Sequence, residues 1–567
     1  MKILGIADNH DSGAALVVDG ELVAAVNQER LDRIKGSAAF PWSAIDAVLD
    51  IAGVKAREVD QVVFGSGYTP SLGLRMLPEI HRSARTGGQF SKALHAYLVY
   101  QSVLRSTGLD SFEVDLNKAW LMRKLKERPF GAAQLTMMDH HQAHAHCAYR
   151  TQPRDRCLVV TLDAMGDGTC ASVSVGESGQ LHEQWRQSGL TTVGTFFGRV
   201  TEMLGFRANR HEGKVSGLAA FAEPPTILLD QMRAAVGFSN GRFRRLSITR
   251  PARPTDPPWS TLTQWSREEV SAAAQRVLEE VVSAYVSHWV EKTGCGDVVL
   301  AGGIFANVKL NRAIACAPNV DSVWIAPHMG DGGLPVGAAL GAAESAPRAL
   351  PHAYLGPDFS VRDAYKAIER GALPHKKFAE PKKNEVGKDV ERVAELLAGG
   401  AAIASVQGRM EWGPRALGNR SVLVRANDPS IAEWLNDKLQ RDRFMPFAPV
   451  IREEEASEFF TGMETVDNAS QFMTVCVDAT DRFKKACPGA VHIDGTVRPQ
   501  VVTFDSNPRL HALLGAYGRR TGVPVLINTS FNMHEEPLVC TVSDAVRAFK
   551  TAQLDALWMG PFVAERE

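Results

Sequence analysis

The chain has 567 residues, with 63 lysine and arginine residues against 64 aspartate and glutamate residues. This length exceeds what one hydrophobic core holds, so we expect about two to four domains. The near-neutral charge gives no reason to expect nucleic acid or an anionic membrane as partner. No apolar run is long enough to predict a membrane-spanning helix.

The cysteines and the N-terminus indicate a cytoplasmic protein. The eight cysteines form no C-x-x-C pair, and several stand in apolar runs such as CLVVTL at 157–162. Such residues are typical of small core side chains in a reducing compartment, not of a disulfide framework. The opening MKILGIADNHDSGAAL indicates a strand and a turn, not a signal peptide.

Two hairpin patterns suggest an internal duplication. Residues 1–30 predict an apolar strand, a polar turn and two further strands, and residues 157–185 repeat this plan, with Asp163 ending the first strand. Facing hairpins with Gly-rich acidic turns can form a nucleotide cleft, because main-chain N–H groups bind phosphate oxygens. This is the plan of the actin/hexokinase/Hsp70-type ATPases. Hairpins with Asp-Gly turns also occur in other β-rich proteins, so the hairpins alone leave the fold open.

Residues 266–343 favour the ATPase fold. Ser266 and Glu269 form a capping box that begins a long amphipathic helix. The stretch DVVLAGGIFAN then predicts a strand followed by two glycines, which begin a helix that carries Asn307 and Asn311. In this ATPase fold an adenosine binds at this position, because the glycines allow close approach and the helix N-terminus favours an anion. A later Gly-rich turn places Asp331 before a helix of small residues, which permits close helix packing.

Composition divides the chain further. We predict a first domain over 1–345 that contains a basic helical insertion at about 68–135, serving as a substrate or dimer element. Three prolines without periodicity predict a linker over 346–370, and an α/β domain over 371–567 follows.

The stretch DHHQAHAHCAYR at 139–150 holds four of the sixteen histidines. On a helix, His140 and His144 lie on one face a turn apart, whereas His141 and His146 point elsewhere. Such a pair is a plausible set of metal ligands, and a helix with surface and packing histidines explains it equally well. Asp163 and Asp331 change the balance, because two histidines and two aspartates suit Fe(II), Mn(II) or Mg(II) better than structural zinc.

Between residues 10 and 539 the chain contains the motifs HDSGAALVVDG, DHHQAHAHCAY, VVTLDAMGDG, HEGKVSGLAA, LAGGIFANVKLN, EWGPRALGNRSVL and LINTSFN. These motifs resemble those of the NodU/CmcH family of O-carbamoyltransferases. The resemblance implies an α/β enzyme with a duplicated actin/Hsp70-type ATPase-like domain and a C-terminal YrdC-like domain. ATP and carbamoyl phosphate would form carbamoyl-adenylate in the second domain, with Mg2+ accompanying the ATP. The first domain would transfer the carbamoyl group to a hydroxyl of a small-molecule natural product, assisted by Fe2+ or Mn2+.

The resemblance also assigns residues. The metal ligands are His140, His144, Asp163 and Asp331. The chemistry of the transfer step makes His10 the candidate base and Lys35 the candidate for neutralising phosphate or orienting the acceptor, with a turn histidine and a surface lysine as the alternatives. The nucleotide-binding residues of the first domain are Asp11, Gly166, Lys214, Gly302, Gly303 and Asn307. ATP and carbamoyl phosphate are expected to meet Arg409, Arg415, Arg420, Lys438, Arg441, Arg498, Asn528, Ser530 and Asn532. Arginine forks bind phosphate in bidentate fashion, although a surface ion pair is the commoner fate of an arginine.

The chain departs from the family pattern at three places. Leu439 stands where relatives have lysine, Met445 where they have arginine and Glu535 where they have glycine. If the family lysine binds carbamoyl phosphate, either Lys438 or Arg443 substitutes for it or the first step is altered. Two alternatives stay open: a threonylcarbamoyl-type tRNA-modifying enzyme, which the neutral charge disfavours, and a nucleotide-binding protein with a decayed second site. We expect a monomer or homodimer with no nucleic-acid or membrane partner.

Overall fold

The computed structural model describes residues 1–77, 92–244, 259–379, 386–440 and 446–566. These residues form two units. The first comprises residues 1–28, 36–349 and 465–467, and the second comprises 29–35, 350–464 and 468–567.

The first sheet of the first unit has five strands in the order β3-β2-β1-β4-β5. They are β1 (Lys2–Ala7), β2 (Gly13–Val18), β3 (Glu21–Asn27), β4 (Gln61–Phe64) and β5 (Gln134–Met137). The strands β1, β2 and β3 form an antiparallel meander, whereas β4 runs parallel to β1 and β5 runs parallel to β4.

The second sheet repeats this topology. Its order is β12-β11-β6-β7-β8, with an antiparallel meander β6-β7-β8 and with β11 and β12 added in parallel. The strands are β6 (Cys157–Gly166), β7 (Thr169–Glu177), β8 (Gln180–Ser188), β11 (Asp297–Ala301) and β12 (Ser322–Ile325), and a small hairpin holds β9 (Gly237–Ser239) and β10 (Arg242–Arg244). The predicted duplication is confirmed, since one connection pattern occurs twice.

Helices connect and cover these sheets. Those of the first unit are Trp42–Ala52, Leu72–Met76, Lys92–Thr107, Asp110–Leu125, His140–Arg150, Val193–Met203, Glu212–Leu218, Thr226–Ala235, Arg267–Thr293, Val308–Ala315 and Leu334–Ala342. The predicted capping box is present, because the Ser266 side chain accepts from the Glu269 N–H and the Glu269 side chain accepts from the Ser266 N–H. Gly294 ends this helix in the left-handed conformation.

Two central helices, His140–Arg150 and Leu334–Ala342, pack against each other. Gly337 lies so close that a Cβ there would collide with the Ala143 carbonyl. The second helix also packs on β1. The small residues of the second helix permit the close approach that the sequence predicted, and this approach brings the Asp331 turn towards the histidine helix.

The predicted insertion at 68–135 is the connection between the parallel strands β4 and β5. Where the structure describes it, it holds the helices Leu72–Met76, Lys92–Thr107 and Asp110–Leu125, whereas the matching connection from β11 to β12 holds one α-helix. Arg75 anchors it through a buried ion pair with Asp8, with Nε 2.7 Å from Oδ2, and through a hydrogen bond to Asn117. The extra helices therefore belong to one half of the duplication.

The second unit is built on an eight-stranded mixed sheet in the order β13-β23-β22-β14-β15-β21-β16-β20, and a separate sheet has the order β17-β18-β19. The strands are β13 (His375–Lys377), β14 (Ile403–Val406), β15 (Arg420–Arg425), β16 (Ala448–Arg452), β17 (Phe460–Thr461), β18 (Val477–Ala479), β19 (Thr496–Val497), β20 (Gln500–Val502), β21 (Val525–Ser530), β22 (Ala556–Met559) and β23 (Phe562–Glu565). The helices are Glu29–Asp32, Val361–Arg370, Lys388–Ala398, Ile431–Lys438, Glu453–Phe459, Asp481–Ala486, Pro508–Thr521 and Val542–Ala552. The mixed sheet and its covering helices confirm the α/β class.

The predicted linker over 346–370 is wrong for most of its length. Ala353 and Leu355 are buried, and the main chain at 353–357 exchanges hydrogen bonds with Met410 and Trp412. A helix over Val361–Arg370 then begins at a Ser360 cap. The prolines break periodicity but are compatible with extended backbone, so this segment is part of the second unit.

Among the described residues, none of the helices has both the length and the apolar character required to span a bilayer. All eight cysteines lie in described ranges and form no disulfide, and seven of them are buried. This agrees with their prediction as small core residues.

Candidate metal centre

Four candidate ligand side chains meet in the first unit. Two come from a helix and one from a turn that follow strands, and Asp163 comes from within a strand that continues to Gly166, beyond the strand end predicted from the sequence. His140 and His144 occupy successive turns of the helix after β5, Asp163 lies within β6, and Asp331 begins the 3-10 turn Asp331–Gly333 after β12. One donor atom from each residue lies within 4.8 Å of the others. The structure therefore brings together the four residues that the sequence predicted as metal ligands.

The spacings match those of a metal coordination shell. The His140 Nε2 atom lies 3.3 Å from Asp163 Oδ2 and 3.6 Å from Asp331 Oδ1, and the His144 Nε2 atom lies 3.4 Å and 3.5 Å from the same oxygens. Ligands about 2.1 Å from a shared cation lie about 3.0 to 3.4 Å apart in octahedral or tetrahedral geometry. The four atoms can therefore converge on one ion with small adjustments.

The imidazoles are buried and short of partners. Among the described residues, no hydrogen-bond partner serves the Nδ1 atom of His140 or either ring nitrogen of His144. A buried polar atom without a partner costs free energy, so a cation bound at Nε2 would relieve part of this cost. Two nitrogens and two carboxylate oxygens fit Fe2+ or Mn2+.

Charge at the centre is balanced through the histidines. Burial would raise the pKa of Asp163, but the hydrogen bond from His140 and the adjacent His144 imidazole hold it well below its usual value. Burial and the charge of Asp163 raise the pKa of Asp331. Burial alone would lower the pKa of His140, yet attraction to Asp331 and Asp163 outweighs this and raises it to about 9. Two close carboxylates therefore require positive charge, which a divalent cation supplies.

Asp139 fixes the beginning of the histidine helix. Its carboxylate caps the first turn by accepting from the His141 and Gln142 N–H groups. Arg186 and Arg105 donate to the same carboxylate, at 2.9 Å and 3.0 Å. Burial opposes the charged form, but the two arginines lower the pKa of Asp139 to about 2. The cap is therefore a stable anion at the positive end of the helix.

Asp167 holds this helix from another side and was not predicted from the sequence. Its buried carboxylate accepts from Ser66 Oγ at 2.9 Å, the Gly67 N–H at 2.7 Å, the Tyr68 N–H at 2.9 Å and the His140 N–H at 3.0 Å. It thus joins the loop after β4 to the first ligand. Its place between two glycines in the turn after Asp163 was the available signal.

The two remaining histidines of the cluster are packing residues. His141 Nδ1 lies 2.6 Å from Thr161 Oγ1, its Nε2 lies 3.0 Å from the Thr169 carbonyl, and burial lowers its pKa to about 3. His146 accepts a hydrogen bond from Arg150 at 3.2 Å, and its ring packs where Gly341 has no side chain. This contact with the small-residue helix accounts for a histidine that the sequence left unexplained.

His10 lies at the centre as well. Its Nδ1 atom is 3.1 Å from Asp331 Oδ2, and the neighbouring Asn9 donates to that oxygen at 2.7 Å. Asn9 was missed, although its place in the turn DNHDSG after β1 offered a signal. Asp11 adopts a left-handed φ of 56°, and its carboxylate lies 4.0 Å from His10 Nε2, outside the ligand set.

Several residues predicted to bind nucleotide have packing roles here. A Cβ on Gly166 would collide with the His140 ring, and a Cβ on Gly302 would collide with the Leu162 backbone. Gly303 lies beside the Asp163 carboxylate.

The polar and basic residues predicted to act in the first domain make other contacts or lie outside the candidate metal centre. The Asn307 side chain caps the Val308–Ala315 helix and pairs with Gln275, and the Lys214 ammonium lies 5.6 Å from the Phe206 ring centre. Lys35 is exposed and belongs to the 29–35 segment of the second unit, so its catalytic role stays a prediction.

Two family models match this chain. The model described as the carbamoyltransferase N-terminus covers residues 2–340, and the model of the carbamoyltransferase C-terminus covers residues 394–566. The chain belongs to the carbamoyltransferase family. Together the two matches span most of the sequence, so the assignment does not depend on any single motif.

Curated relatives agree with this assignment. The carbamoyltransferase-family chain is 30% identical to nodulation protein NolNO of Sinorhizobium fredii, over 98% of this chain and 79% of that protein. Nodulation protein U of the same organism is 25% identical over 94% of each chain. An uncharacterized protein of Synechocystis, sll1178, is 31% identical over 99% of this chain and 96% of its own length.

Solved structures give weaker likenesses. Component A of the (R)-2-hydroxyglutaryl-CoA dehydratase of Acidaminococcus fermentans is 17% identical, covers 61% of this chain and 98% of its own, and has a TM-score of 0.35. The ROK hexokinase of Thermus thermophilus is 14% identical, covers 60% and 98%, and has a TM-score of 0.30.

In the second unit of this carbamoyltransferase-family chain, Arg415 and Arg498 lie close enough to repel each other. Burial and the charge of Arg498 lower the pKa of Arg415 to about 9, and burial lowers the pKa of Arg498. Next to them, Asn528 donates to the Gln500 side chain at 2.6 Å and to the Ala416 carbonyl at 3.2 Å. Two desolvated guanidinium groups of like charge are suited to an anion such as phosphate.

Two other predicted arginines serve the main chain instead. The buried Arg420 donates to the carbonyls of Gln407, Gly408 and Asn419, at 2.7 Å, 3.1 Å and 2.8 Å. Arg409 donates to the carbonyls of Gly356 at 3.2 Å and Leu355 at 2.5 Å. These contacts support a role in holding loops, which the motif alone does not distinguish from phosphate binding.

The remaining predicted residues of this unit are placed as follows. The Lys438 ammonium lies 5.7 Å from the Trp434 ring centre, Leu439 is fully buried, and Ser530 ends β21. Asn532 donates to the carbonyls of Met533 and Glu536. Arg441, together with Arg443 and Met445, lies outside the described residues.

The third departure from the family has a backbone consequence. Glu535, which stands where relatives have glycine, adopts a φ of 63°. This left-handed conformation is one that glycine adopts readily and other residues rarely do. Glu535 therefore holds a backbone conformation that a glycine would adopt at lower cost.

Proposed function

We propose that the chain is an ATP-dependent O-carbamoyltransferase that acts on a hydroxyl of a small-molecule natural product. The observation that carries this proposal is the buried centre of His140, His144, Asp163 and Asp331, with His10 held against it, in a chain of the carbamoyltransferase family.

The first step is assigned to the second unit. Water releases phosphate from carbamoyl phosphate, an oxygen of the resulting carbamate bonds to the α-phosphorus of ATP, and pyrophosphate leaves. The product is carbamoyl-adenylate. Arg415 and Arg498 support this step, because bringing two anionic reactants together requires concentrated positive charge. Mg2+ accompanies the ATP.

The second step is assigned to the first unit. The acceptor oxygen bonds to the carbamoyl carbon, the bond from that carbon to the adenylate oxygen breaks, and AMP leaves as an anion. The His10 imidazole takes the acceptor proton. An Nδ1–H bonded to Asp331, at 3.1 Å, leaves Nε2 as the basic nitrogen. Fe2+ or Mn2+ held by the four ligands would supply Lewis-acid stabilisation of the developing negative charge.

The test separates the two steps in the full-length protein. Pyrophosphate release is measured with ATP and carbamoyl phosphate, and carbamoyl transfer is measured by the mass gain of an alcohol. We expect His144→Ala to lose metal and to lower transfer at least a hundredfold while pyrophosphate release persists. Arg498→Ala should abolish pyrophosphate release and keep its metal.

The exposed Arg482→Ala is the control for the arginine variant, because the Arg482 side chain is 60% exposed, pairs with the exposed Glu458 and lies over the Phe459 ring. Loss of both steps in His144→Ala would contradict separate sites. A folded, metal-loaded protein that releases no pyrophosphate would contradict the proposed function.

A further inference from the structure

A cleft of about 270 Å³ opens in the first unit beside the metal centre. Its walls come from the end of β1, the loop before the Trp42–Ala52 helix, and the helical connection between β4 and β5. The lining residues that matter to its chemistry are Asp8, Phe40, Arg75, Met76, Trp120 and Lys124. The catalytic assignment above uses none of them.

The chain path places this cleft next to the reacting groups. Asp8, Asn9 and His10 are consecutive, and consecutive Cα atoms lie about 3.8 Å apart, so the Asp8 and His10 Cα atoms are at most about 7.6 Å apart. Asn9 Nδ2 donates to Asp331 Oδ2 at 2.7 Å, and His10 Nδ1 lies 3.1 Å from the same oxygen. One end of the cleft therefore adjoins a metal ligand and the proposed base.

The walls of the cleft are aromatic and apolar. Phe40 and Trp120 are partly exposed, and Met76 is 60% exposed, whereas large apolar side chains elsewhere in this unit are mostly buried. Aromatic faces favour flat apolar surfaces, and a flexible methionine adapts to varied shapes. The volume lies at the lower limit of small-molecule pockets, so it suits about one ring.

The charges along the cleft are compensated. Asp8 is the one carboxylate among the lining residues, and Arg75 holds both of its oxygens, with Nε 2.7 Å from Oδ2 and Nη2 2.9 Å from Oδ1. Lys124 pairs with Glu127 at 2.8 Å, and its ammonium lies 5.9 Å from the Phe40 ring centre. Among the described residues of the lining, no carboxylate is left to attract a cationic ligand, so these residues would desolvate a cation without offering it a partner.

We propose that this cleft binds the carbamoyl acceptor, and that it selects an uncharged alcohol whose carbon skeleton presents one flat apolar face. This inference rests on the proposed transfer reaction and adds to it the residues that choose the acceptor. The hydroxyl points towards His10 while the ring stacks on Phe40 and Trp120. The connection that carries Met76 and Trp120 holds more helices than the matching connection from β11 to β12, so specificity resides in the connection between β4 and β5.

The experiment uses the full-length protein with ATP, carbamoyl phosphate and three probe alcohols. These are trans-1,2-cyclohexanediol, its cationic counterpart trans-2-aminocyclohexanol, and the linear 1,2-hexanediol. Carbamoylated product is measured by mass and pyrophosphate by a coupled assay. We expect the cyclic diol to exceed both others in kcat/KM by at least tenfold. Trp120→Ala should raise the KM for the cyclic diol tenfold or more while pyrophosphate release is unchanged.

Phe112→Ala is the matched control, because Phe112 lies on the same helix, is 65% exposed and does not line the cleft. A second variant, Ala38→Trp, fills the cleft from the loop before the Trp42–Ala52 helix and should have the same effect as Trp120→Ala. Equal KM in Trp120→Ala, Ala38→Trp and Phe112→Ala would overturn the inference, as would preference for the amine. So would pyrophosphate release without carbamoylation of the cyclic diol. Absence of pyrophosphate release in the unaltered protein would instead overturn the proposed function.

Discussion

At the scale of single residues, the candidate metal centre depends on the absence of a side chain at Gly166. A Cβ on Gly166 would collide with the His140 ring, which is fully buried and has no space to yield. The same glycine follows Asp163 by three positions in β6, so one short stretch supplies a ligand and makes room for another. Protein interiors are packed to crystal density, and such a clash displaces the side chain or the strand.

We therefore expect Gly166→Ala to lower metal affinity at least tenfold, because His140 must leave its position. Metal content after dialysis against a weak chelator measures the change. Gly237→Ala is the control, since a Cβ there meets no atom within 4 Å. Wild-type metal content in Gly166→Ala would show that His140 is not a ligand or that the strand yields freely.

At the scale of elements, the ligand helix is fixed at its N-terminal end by two carboxylates. Asp139 caps it from within the chain, and Asp167 ties it to the loop at 66–68. A metal site on such a helix is more rigid than one on a loop, because the ligands His140 and His144 share one backbone whose first turn cannot move.

Asp167→Asn tests this tie. The amide keeps one oxygen acceptor and cannot accept all four hydrogen bonds, so buried donors lose their partner at a cost of about 1 to 3 kcal/mol. We expect thermal unfolding of the first unit at lower temperature and a several-fold loss of metal affinity. The exposed Asp46→Asn, which interrupts only a surface pair with Arg128, should change neither property. Unchanged metal affinity in a destabilised Asp167→Asn would limit Asp167 to a structural role.

At the scale of the whole molecule, the two units carry different chemistry. The first has a buried set of imidazoles and carboxylates, whereas the second has buried guanidinium groups. A defect in one should therefore leave the chemistry of the other measurable. Arg420 provides a test, because it is fully buried in the second unit and donates its hydrogen bonds to main-chain carbonyls.

Arg420→Met should unfold or loosen the second unit, since several buried carbonyls lose their donor, each at about 1 to 3 kcal/mol. We expect loss of pyrophosphate release and a lower first unfolding transition in calorimetry, with metal content retained. Arg482→Ala serves again as the exposed control. Loss of bound metal in Arg420→Met would show that the two units do not fold independently.

Much of this arrangement was accessible from the sequence because it is local. The capping box at Ser266, the helix that begins after Asp139 and the repeated hairpins follow from residue patterns within a few turns or strands. The linker prediction failed over Val361–Arg370, because prolines upstream obscured a helix whose apolar residues pack inside the second unit. The motif also did not distinguish the role of Arg420 from that of Arg415, because both arginines belong to it. Only the groups around each side chain in the folded structure distinguish them.

The sequence by itself determined the types of ligand, their order and the duplicated strands, because these properties follow from patterns of residues that are neighbours in the chain. Only the tertiary structure decided that Asp331 meets His140, that Asp167 supports the same helix, and that Gly166 makes room for the ring. Residues far apart in the chain meet when parallel strands end at one edge of their sheets and when helices of small residues approach closely. Neither condition can be inferred from the residue pattern of one segment of the chain.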